Sequence, residues 1–527
     1  MNKLFNRLSN SIGGGALLIA FFSLISKILG LVRDRLLASN FGAGADLDVY
    51  FAAFKLPDFI FNILILGALS MAFIPIFQRV FRQDEKQGYR LANSAFNILL
   101  GLMAVLTLIG LGGTRWLVTW IVPGFSAVQL ESTVHLTRIM LLSILFFTAS
   151  NIMSGMLNAW HRFVTFSISS VLYNVGIIVG IVWFLPRWGL VGLAWGVVFG
   201  SAMHFGIQAI EATIYGWRWQ PIIVWTADLK RMLQLMVPRA VGSAASQINI
   251  VAMTMIASWL PIGALSVFNL ANNLQSFPAG LFGISLAVAS FPHITKYAHD
   301  RNYAAFEKIF SLQFRRILYV IIPASIILIV ERAHIVRVIL GSGSFDWSDT
   351  ILTANVLGVF AVSIFAQGLI PLVSLGFYAH EDTKSPVIIS LITTAINIAL
   401  AFLLSRYFGV LGLTAAFSLA TIVNLLLLVA IFKAKIGHLN EHELVRASLR
   451  IAGASLVAGA VSYVSLRLFV HLIDQRTFLG ILLQGSLSGL AGIAVYIAIS
   501  VIWSFPEIEV LREYVTRFLR KAGLKQS

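Results

Sequence analysis

The chain has no cysteine, which excludes disulfides, thiolate metal sites and cysteine nucleophiles. Charge is scarce too. Asp, Glu, Lys and Arg together make up 11% of the 527 residues, against about 25% in a soluble domain. Acids are the scarcer sign, 22 against 38 bases. The ten His are scattered and form no HExxH pattern, and no acid/base or metal constellation stands out, so an enzyme is not expected. What fills the chain instead is apolar: 58% of residues, with a mean hydropathy of +0.87. A soluble fold has no way to hide that much oil from water. Soluble enzyme, disordered regulator and nucleic-acid binder are all set aside. The composition predicts an all-α polytopic membrane protein.

A helix needs about 20 apolar residues to cross the hydrocarbon. Fourteen stretches qualify: 14–39, 47–79, 92–118, 133–159, 163–185, 189–216, 230–259, 264–296, 308–331, 350–379, 385–406, 410–433, 447–473 and 477–504. Lys3 and Arg7 lead straight into the first, with no small-residue cleavage site, so it reads as a retained helix. The net charge of +16 is distributed by topology. One set of span ends carries Lys3, Arg7, Arg79, Arg82, Lys86, Arg90, Arg162, Arg218, Lys230, Arg231, Lys296, Arg315, Lys384, Lys433 and Lys435. The opposite set carries fewer: Arg115, Arg138, Arg187, Arg332, Arg337, Arg406 and Arg476. The positive-inside rule then places both termini in the cytoplasm. The tail from Arg512 to Lys525 reads as a basic surface helix near anionic lipid. Trp116, Trp120, Trp183, Trp188, Trp259 and Trp347 fall at outer span ends; Trp160, Trp217, Trp219, Trp225 and Trp503 fall at inner ones, as in an aromatic belt.

The chain also repeats itself. Leu47, Val49, Tyr50, Ala53 and Leu56 align with Leu265, Val267, Phe268, Ala271 and Leu274, an offset of 218. Ala72, Pro75 and Arg79 follow as Ala289, Pro292 and Lys296 after a one-residue deletion, and Gly189, Gly192 and Leu193 echo Gly409, Gly412 and Leu413. Both copies begin on the same side, so the duplication is parallel. The predicted domains are an N-terminal lobe over 1–218, a C-terminal lobe over 219–440, two further helices over 441–505 and a basic tail over 506–527. Two six-helix lobes around a central cavity suit alternating access.

Charges inside spans are costly and point to function. They gather in the first two spans. Ser26, Gly30 and Arg33 share one helical stripe, with Lys27 and Asp34 beside it; Lys55, Asp58 and Asn62 share another on the second span. Two cationic stripes form a positive patch inside the membrane, with Arg35 close by. A lipid-borne diphosphate is an anion that fits, Arg gripping it bidentately and Lys as a point charge. Asp34 and Asp48 are expected to neutralise the cations in the empty state. Ion pairing that only fixes the packing of these helices is the competing reading. Pro57 is expected to break the second span and free backbone carbonyls toward the cavity. The second lobe is polar but uncharged, with Ser246, Gln247 and Asn249, then Asn269, Asn272, Asn273, Gln275 and Ser276. These suit either sugar and peptide groups of a substrate or interhelical amide contacts. Glu211 and Arg239 read as snorkelling charges near span ends.

These residues carry a family resemblance. Ser26-Lys27, Gly30, Arg33-Asp34, Phe41-Gly42-Ala43-Gly44, Asp48, Ala53 to Pro57 and Gly67 to Pro75 resemble the MurJ (MviN) lipid II flippases. So do Leu157 to Phe163, Phe277 to Gly283, Pro292 and Phe377 to Pro386. The resemblance implies fourteen helices, two lobes, alternating access and outward movement of undecaprenyl-diphosphate-linked peptidoglycan precursor across the bacterial cytoplasmic membrane. It also implies membership of the larger superfamily of polysaccharide flippases and cation-coupled drug exporters. The chain departs from the family at Lys27, where Arg is usual, at Phe61 and Leu66, where Arg and Glu are frequent, and at Asn272-Asn273, where the family has Asp-Arg. Arg33 is then the clearest phosphate-binding Arg, helped by Lys27, Lys55 and Arg35. A cation-coupled exporter of drugs or another glycolipid is the alternative, and a non-transporting scaffold a third. No cofactor is expected. The membrane potential or a cation gradient is the candidate energy source, without a dedicated cation site. Expected partners are the lipid-linked oligosaccharide diphosphate, membrane lipids and other cell-wall synthesis proteins, with no nucleic acid.

Overall fold

In a computed structural model, residues 12–63, 69–437, 441–474 and 477–508 are described. Lys3, Arg7, Leu66, the Gly67-Ala68 pair, Arg476 and the tail from Arg512 to Lys525 lie outside the described residues, as does the Arg239 side chain. The regular structure among the described residues is helical. In chain order it runs α1 (Ile12–Phe41), α2 (Ala45–Ala53), α3 (Lys55–Phe61), α4 (Leu69–Gln83), α5 (Glu85–Ile121), α6 (Ala127–Leu141), α7 (Ser143–Ala159) and α8 (Phe163–Val179). A π-helical turn over Gly180–Phe184 leads to α9 (Leu185–Trp188), α10 (Leu190–Ile214), α11 (Ala227–Ser258) and α12 (Ala264–Pro278). A second π turn over Ala279–Ile284 leads to α13 (Ser285–His299), α14 (Tyr303–Ile339), α15 (Trp347–Ala361), α16 (Ile364–Ala379), α17 (Lys384–Ile436), α18 (Glu441–Phe469) and α19 (Phe478–Ile502).

Ten helices among the described residues are long and apolar enough to cross a bilayer. α1, α2–α4 and α11 are not among them, and these carry intramembrane charge or breaks. The chain is a multi-pass, all-α membrane protein. Breaks have local causes. Pro57 lacks an N–H and its ring opposes the carbonyl four residues back, so the helix turns at Phe54, between α2 and α3. The carbonyl of Ala53, the one that Pro57 leaves without its donor, accepts instead from the Thr137 hydroxyl at 3.4 Å. That corrects the expectation of a carbonyl offered to a cavity: it is used to join α2 to α6.

Helices in lipid pack by close approach of small residues, and α8 and α10 do so. A methyl group on Gly180 would stand 2.5 Å from the Cα of Gly196, and one on Gly200 would stand 2.6 Å from the Tyr173 carbonyl. The four-residue spacing of Gly176 and Gly180, and of Gly192, Gly196 and Gly200, therefore marks a backbone-to-backbone seam. The belt is largely as expected: Trp116, Trp120, Trp183, Trp188, Trp219, Trp225, Trp259, Trp347 and Trp503 are exposed. Trp160 and Trp217 are not belt residues. Trp160 packs edge-on against Phe77, Phe81 and Tyr89, and Trp217 is buried beside Phe96.

The described residues of Met1–Ser266 with Ser342–Phe345 form one compact unit, and those of Val267–Gly341 with Asp346–Ser527 form another. In the first, α11 packs on α3, α4 and α5, and α1 packs on α8. In the second, α18 and α19 pack on each other and on α14.

The repeat is written in the backbone more clearly than in the side chains. Gly189 has φ +57° and ψ −146°, and Gly409 has φ +58° and ψ −135°. Both are sharp corners open only to glycine. Three residues on, a Cβ on Gly192 would press on the Phe184 carbonyl and one on Gly412 on the Leu404 carbonyl. A second pair of corners matches. His161 has φ +58° and Glu381 φ +60°. The following N–H groups, of Arg162 and Asp382, reach back to the carbonyls of Leu157 at 2.7 Å and Phe377 at 3.0 Å.

Candidate functional site

The stripe expected on the first span is real. Ser26, Gly30 and Arg33 all face α8, and they meet there at one residue, Asn174. Its amide Nδ2 donates to the Ser26 carbonyl at 3.2 Å and to Ser26 Oγ at 3.1 Å. Its Oδ1 accepts from Arg33 Nη1 at 3.3 Å. Gly30 lies beside it, and a Cβ there would make only an ordinary contact, 3.9 Å from Asn174 Oδ1. Ser26 Oγ in turn donates to the Ser170 carbonyl at 3.1 Å. Ser26 is thus a packing residue, binding α1 to α8.

Arg33 is held on its other side by Asp34. Nε and Nη2 donate to the same carboxylate oxygen at 3.0 and 2.8 Å. Neighbours in sequence do not share a helix face, so the Arg33 arm must curl back to make this pair. Asp34 is 2% exposed, whereas the Arg33 side chain retains 23% of its surface. The cation is oriented and partly open; its counter-ion is sealed. Tyr50 and Tyr173 stand within electrostatic range of Arg33 and Asp58, so α1, α2, α3 and α8 converge on one neighbourhood. Lys55 opens α3 and is charge-coupled to Asp58 one turn on. Asp58 is exposed, Lys55, Lys27 and Arg35 are half-buried, and Asn62 donates to Gln247 Oε1 of α11 at 3.4 Å.

Asp48 does not belong to this group. Its carboxylate accepts from the Gly263 N–H at 2.6 Å, the Ser266 N–H at 2.7 Å and the Ser266 hydroxyl at 2.6 Å. Those are the orphan donors that open α12, and a carboxylate at a helix N-terminus caps them. The expectation that Asp48 neutralises the cationic patch is therefore replaced by a capping role. Asp48 and Ser266 are also equivalent positions of the repeat, 218 residues apart.

Asn272 and Asn273 lie on α12. Asn272 Oδ1 accepts from Gln275 at 2.9 Å, Gln275 Oε1 accepts from Gln367 at 2.8 Å, and Gln367 also donates to Ser363 at 3.2 Å. For Asn272 this chain of amides favours the interhelical role over a substrate role. Asn273 is half-buried, and its carbonyl accepts from Ser276 Oγ at 2.8 Å. Glu211, expected to snorkel, has a carboxylate oxygen that is buried without a hydrogen-bond partner. No group of three or more His, Asp or Glu placed to hold a metal occurs among the described residues.

The motif from Phe377 to Pro386 forms a structural clamp. Asp382 accepts from the N–H groups of Lys384 and Ser385 at 3.1 and 2.9 Å, from the Ser385 hydroxyl at 2.7 Å and from Lys435 Nζ at 2.7 Å. Desolvation works to raise its pKa. The Lys435 bond and the Ser385 bonds outweigh it and hold the carboxyl well below the usual carboxylate range. The clamp joins the two ends of α17.

Asn174 is the residue the sequence reading passed over. A lone Asn in an apolar span is a visible signal, but its partners lie 141 and 148 residues away.

A helical membrane carrier with paired charge inside its first helices is the class that fold and site define. Its fold is shared with solved transporters. A multidrug resistance MATE family transporter of the MOP superfamily, in an inward-facing conformation, matches 81% of this chain and 95% of its own with a TM-score of 0.66 at 16% identity. A lipid II flippase MurJ in an inward closed conformation matches 92% of this chain and 98% of its own, with a TM-score of 0.77 at 25% identity. The family model described as lipid II flippase MurJ matches residues 37–484; the chain belongs to that family. Among its relatives, the probable lipid II flippase MurJ of Buchnera aphidicola subsp. Acyrthosiphon pisum is 30% identical over 81% of this chain and 85% of that protein. The lipid II flippase MurJ of Burkholderia cenocepacia is 27% identical over 85% of this chain and 89% of that protein.

Proposed function

We propose that this chain is a lipid II flippase, a transporter and not an enzyme. It carries undecaprenyl-diphosphate-linked peptidoglycan precursor from the inner to the outer leaflet of the bacterial cytoplasmic membrane by alternating access, with both termini cytoplasmic. The observation that carries the reading, beside family membership, is the guanidinium of Arg33. It is aimed by Asn174, charge-matched by the buried Asp34 and still partly open. An arriving diphosphate brings more charge than one carboxylate. It takes the open N–H groups of Arg33, with Lys27 and Lys55 as point charges. Asp34 holds the cation in register while the site is empty, which saves the cost of orienting a long side chain on binding. Asp58, one turn on, is the acid that faces Lys55 electrostatically. The membrane potential or a cation gradient resets the cycle.

The test is translocation of lipid II in vesicles containing the purified chain. Arg33→Glu reverses the charge at the grip and is expected to abolish translocation while the protein still inserts. Unchanged translocation in that variant would remove the site assignment. Rescue of cells depleted of their own flippase tests the substrate: growth supports lipid II, and failure by a well-expressed chain points to another lipid-linked glycan.

A further inference from the structure

In the second unit an acid and an imidazole occupy a place that the sequence pattern assigns to the end of a span. α14 does not stop at Glu331. It continues to Ile339, so Glu331 and His334 lie one turn apart inside the helix, against α18 and α19. Glu331 is 3% exposed. Its Oε1 accepts from Ser462 Oγ of α18 at 2.9 Å. His334 Nε2 lies 3.2 Å from Gln484 Oε1 of α19, and the Gln484 amide Nε2 is committed to the Leu466 carbonyl at 2.9 Å.

These bonds fix the tautomer. Gln484 Oε1 accepts only, so His334 Nε2 must carry the hydrogen. A neutral imidazole has a single N–H, which leaves a lone pair on Nδ1. Nδ1 lies 3.8 Å from Glu331 Oε2. Both atoms are buried without a hydrogen-bond partner. Two buried acceptors this close, with no donor between them, are each unsatisfied. A proton on either atom turns the pair into a donor facing an acceptor, which can close from 3.8 Å to the roughly 3 Å of an N–H···O bond.

The pair is buried but lies beside open space through which a proton can reach it. Gly485 keeps the space open, since a Cβ there would stand 3.4 Å from Oε2 and 3.2 Å from the His334 Cβ. A cavity of about 440 Å³ between α14 and α19 reaches the pair past Ile327, Gly485 and Gly489. A second cavity, of about 380 Å³, touches His334 and Gln484 from the other side. The other ionisable groups facing the pair line that second cavity. Arg332 of α14 donates to the Ile329 carbonyl at 2.7 Å, and Arg467 of α18 donates to the Tyr463 hydroxyl at 3.0 Å. α15 contributes Asn355 there, and α19 contributes Gln484 there and Ser486 to the first cavity. A hard cation asks for about six oxygens, whereas the orphaned atoms here are one carboxylate oxygen and one imidazole nitrogen.

We propose that Glu331 and His334 form a binding site for one proton, carried on Oε2 or Nδ1 and exchanged through the cavities that flank it. Loading adds a proton and breaks no bond, taking the pair from a net charge of −1 to zero. The site belongs to the second unit, and the assignment does not depend on which lipid the chain carries.

Infrared spectroscopy of the full-length chain in lipid reads the carboxyl C=O band directly. Between about pH 4 and about pH 10, a buried carboxylic-acid band is expected at the acid end and lost toward the alkaline end. Glu331→Gln removes it. His334→Asn keeps it but moves its midpoint by at least one pH unit, because the two groups titrate as a pair. If Glu331→Gln does not fold, ¹³C-labelled glutamate in the wild type and in His334→Asn assigns the band instead. A spectrum without a titrating band overturns the proposal. So does a wild-type-minus-Glu331→Gln difference spectrum without a carboxyl band, in which other buried carboxyls such as Asp34, Asp48 and Glu211 cancel, or a midpoint unmoved by His334→Asn.

Discussion

Replacing Asp34 by Asn strips the sealed carboxylate from Arg33 while keeping its shape. Breaking a fully buried pair from one side costs about 3–5 kcal/mol, because the remaining charge is left uncompensated. Arg33 keeps 23% of its side-chain surface and an amide partner in Asn174, so the expected loss is nearer 2–3 kcal/mol. Arg33→Gln strands the carboxylate instead, and Asp34 is the more buried partner, so its loss should be at least as large. The double variant Arg33→Gln/Asp34→Asn leaves no orphan charge. It should unfold only about 1–2 kcal/mol below wild type, a coupling of roughly 3 kcal/mol. Transport separates the two roles of Arg33. A charge-assisted bond to diphosphate is worth about 1.5–3 kcal/mol, roughly a tenfold to hundredfold loss in translocation. The double variant should therefore regain stability and stay defective in vesicles. Thermal unfolding and lipid II translocation, measured on the four proteins of the cycle, decide the matter. A double variant that is both stable and fully active would refute a phosphate role for Arg33 and leave it as packing alone.

Asp48→Ala orphans two N–H groups and a hydroxyl at the start of α12; a stability loss of about 2–4 kcal/mol is expected, with the translocation rate of the folded fraction unchanged, and a selective transport defect would restore Asp48 to the substrate site. Gly180→Val drives a side chain into the Gly196 backbone and should cost about 1–3 kcal/mol, seen as a lowered unfolding temperature. Asp382→Asn weakens the cap of α17 by about 1 kcal/mol, its ion pair with the half-exposed Lys435 adding little. Because the folded-state pKa of Asp382 is depressed, its contribution is complete above the unfolded value of about 3.9 and fades only as pH falls below it. Wild type and variant should therefore differ at neutral pH and converge in strong acid.

What the sequence made legible follows from distance along the chain. The Ser26/Gly30/Arg33 stripe is a spacing of three and four residues, and periodicity finds it. Its partner Asn174 and the Asp48 cap are contacts across 141 to 218 residues, which no local pattern encodes. Pro57 announced a break, and that break falls at Phe54, but the destination of the Ala53 carbonyl depended on Thr137, 84 residues on. The bound of the 308–331 stretch differs from the helix for another reason. The apolar stretch 308–331 closes on Glu331, whereas a helix ends where its backbone bonding ends, eight residues later at Ile339. Trp160 and Trp217 show the same limit, since position near a span end does not tell lipid-facing from core-facing.

Gly409 has a bearing on which side of the membrane the chain finishes. α17 runs for 53 residues, and at about 1.5 Å per residue a straight rod would be roughly 80 Å long, more than twice a hydrocarbon core of about 30 Å. Counted as one traverse or as two, it changes the parity of the whole path, and with it the face from which everything after Ile436 emerges. The corner at Gly409, which falls between the apolar stretches 385–406 and 410–433, makes the difference between odd and even. A protein with no cysteine of its own suits the measurement. Single cysteines at Lys384 and Lys435, probed with a membrane-impermeant thiol reagent, should be labelled from the same face.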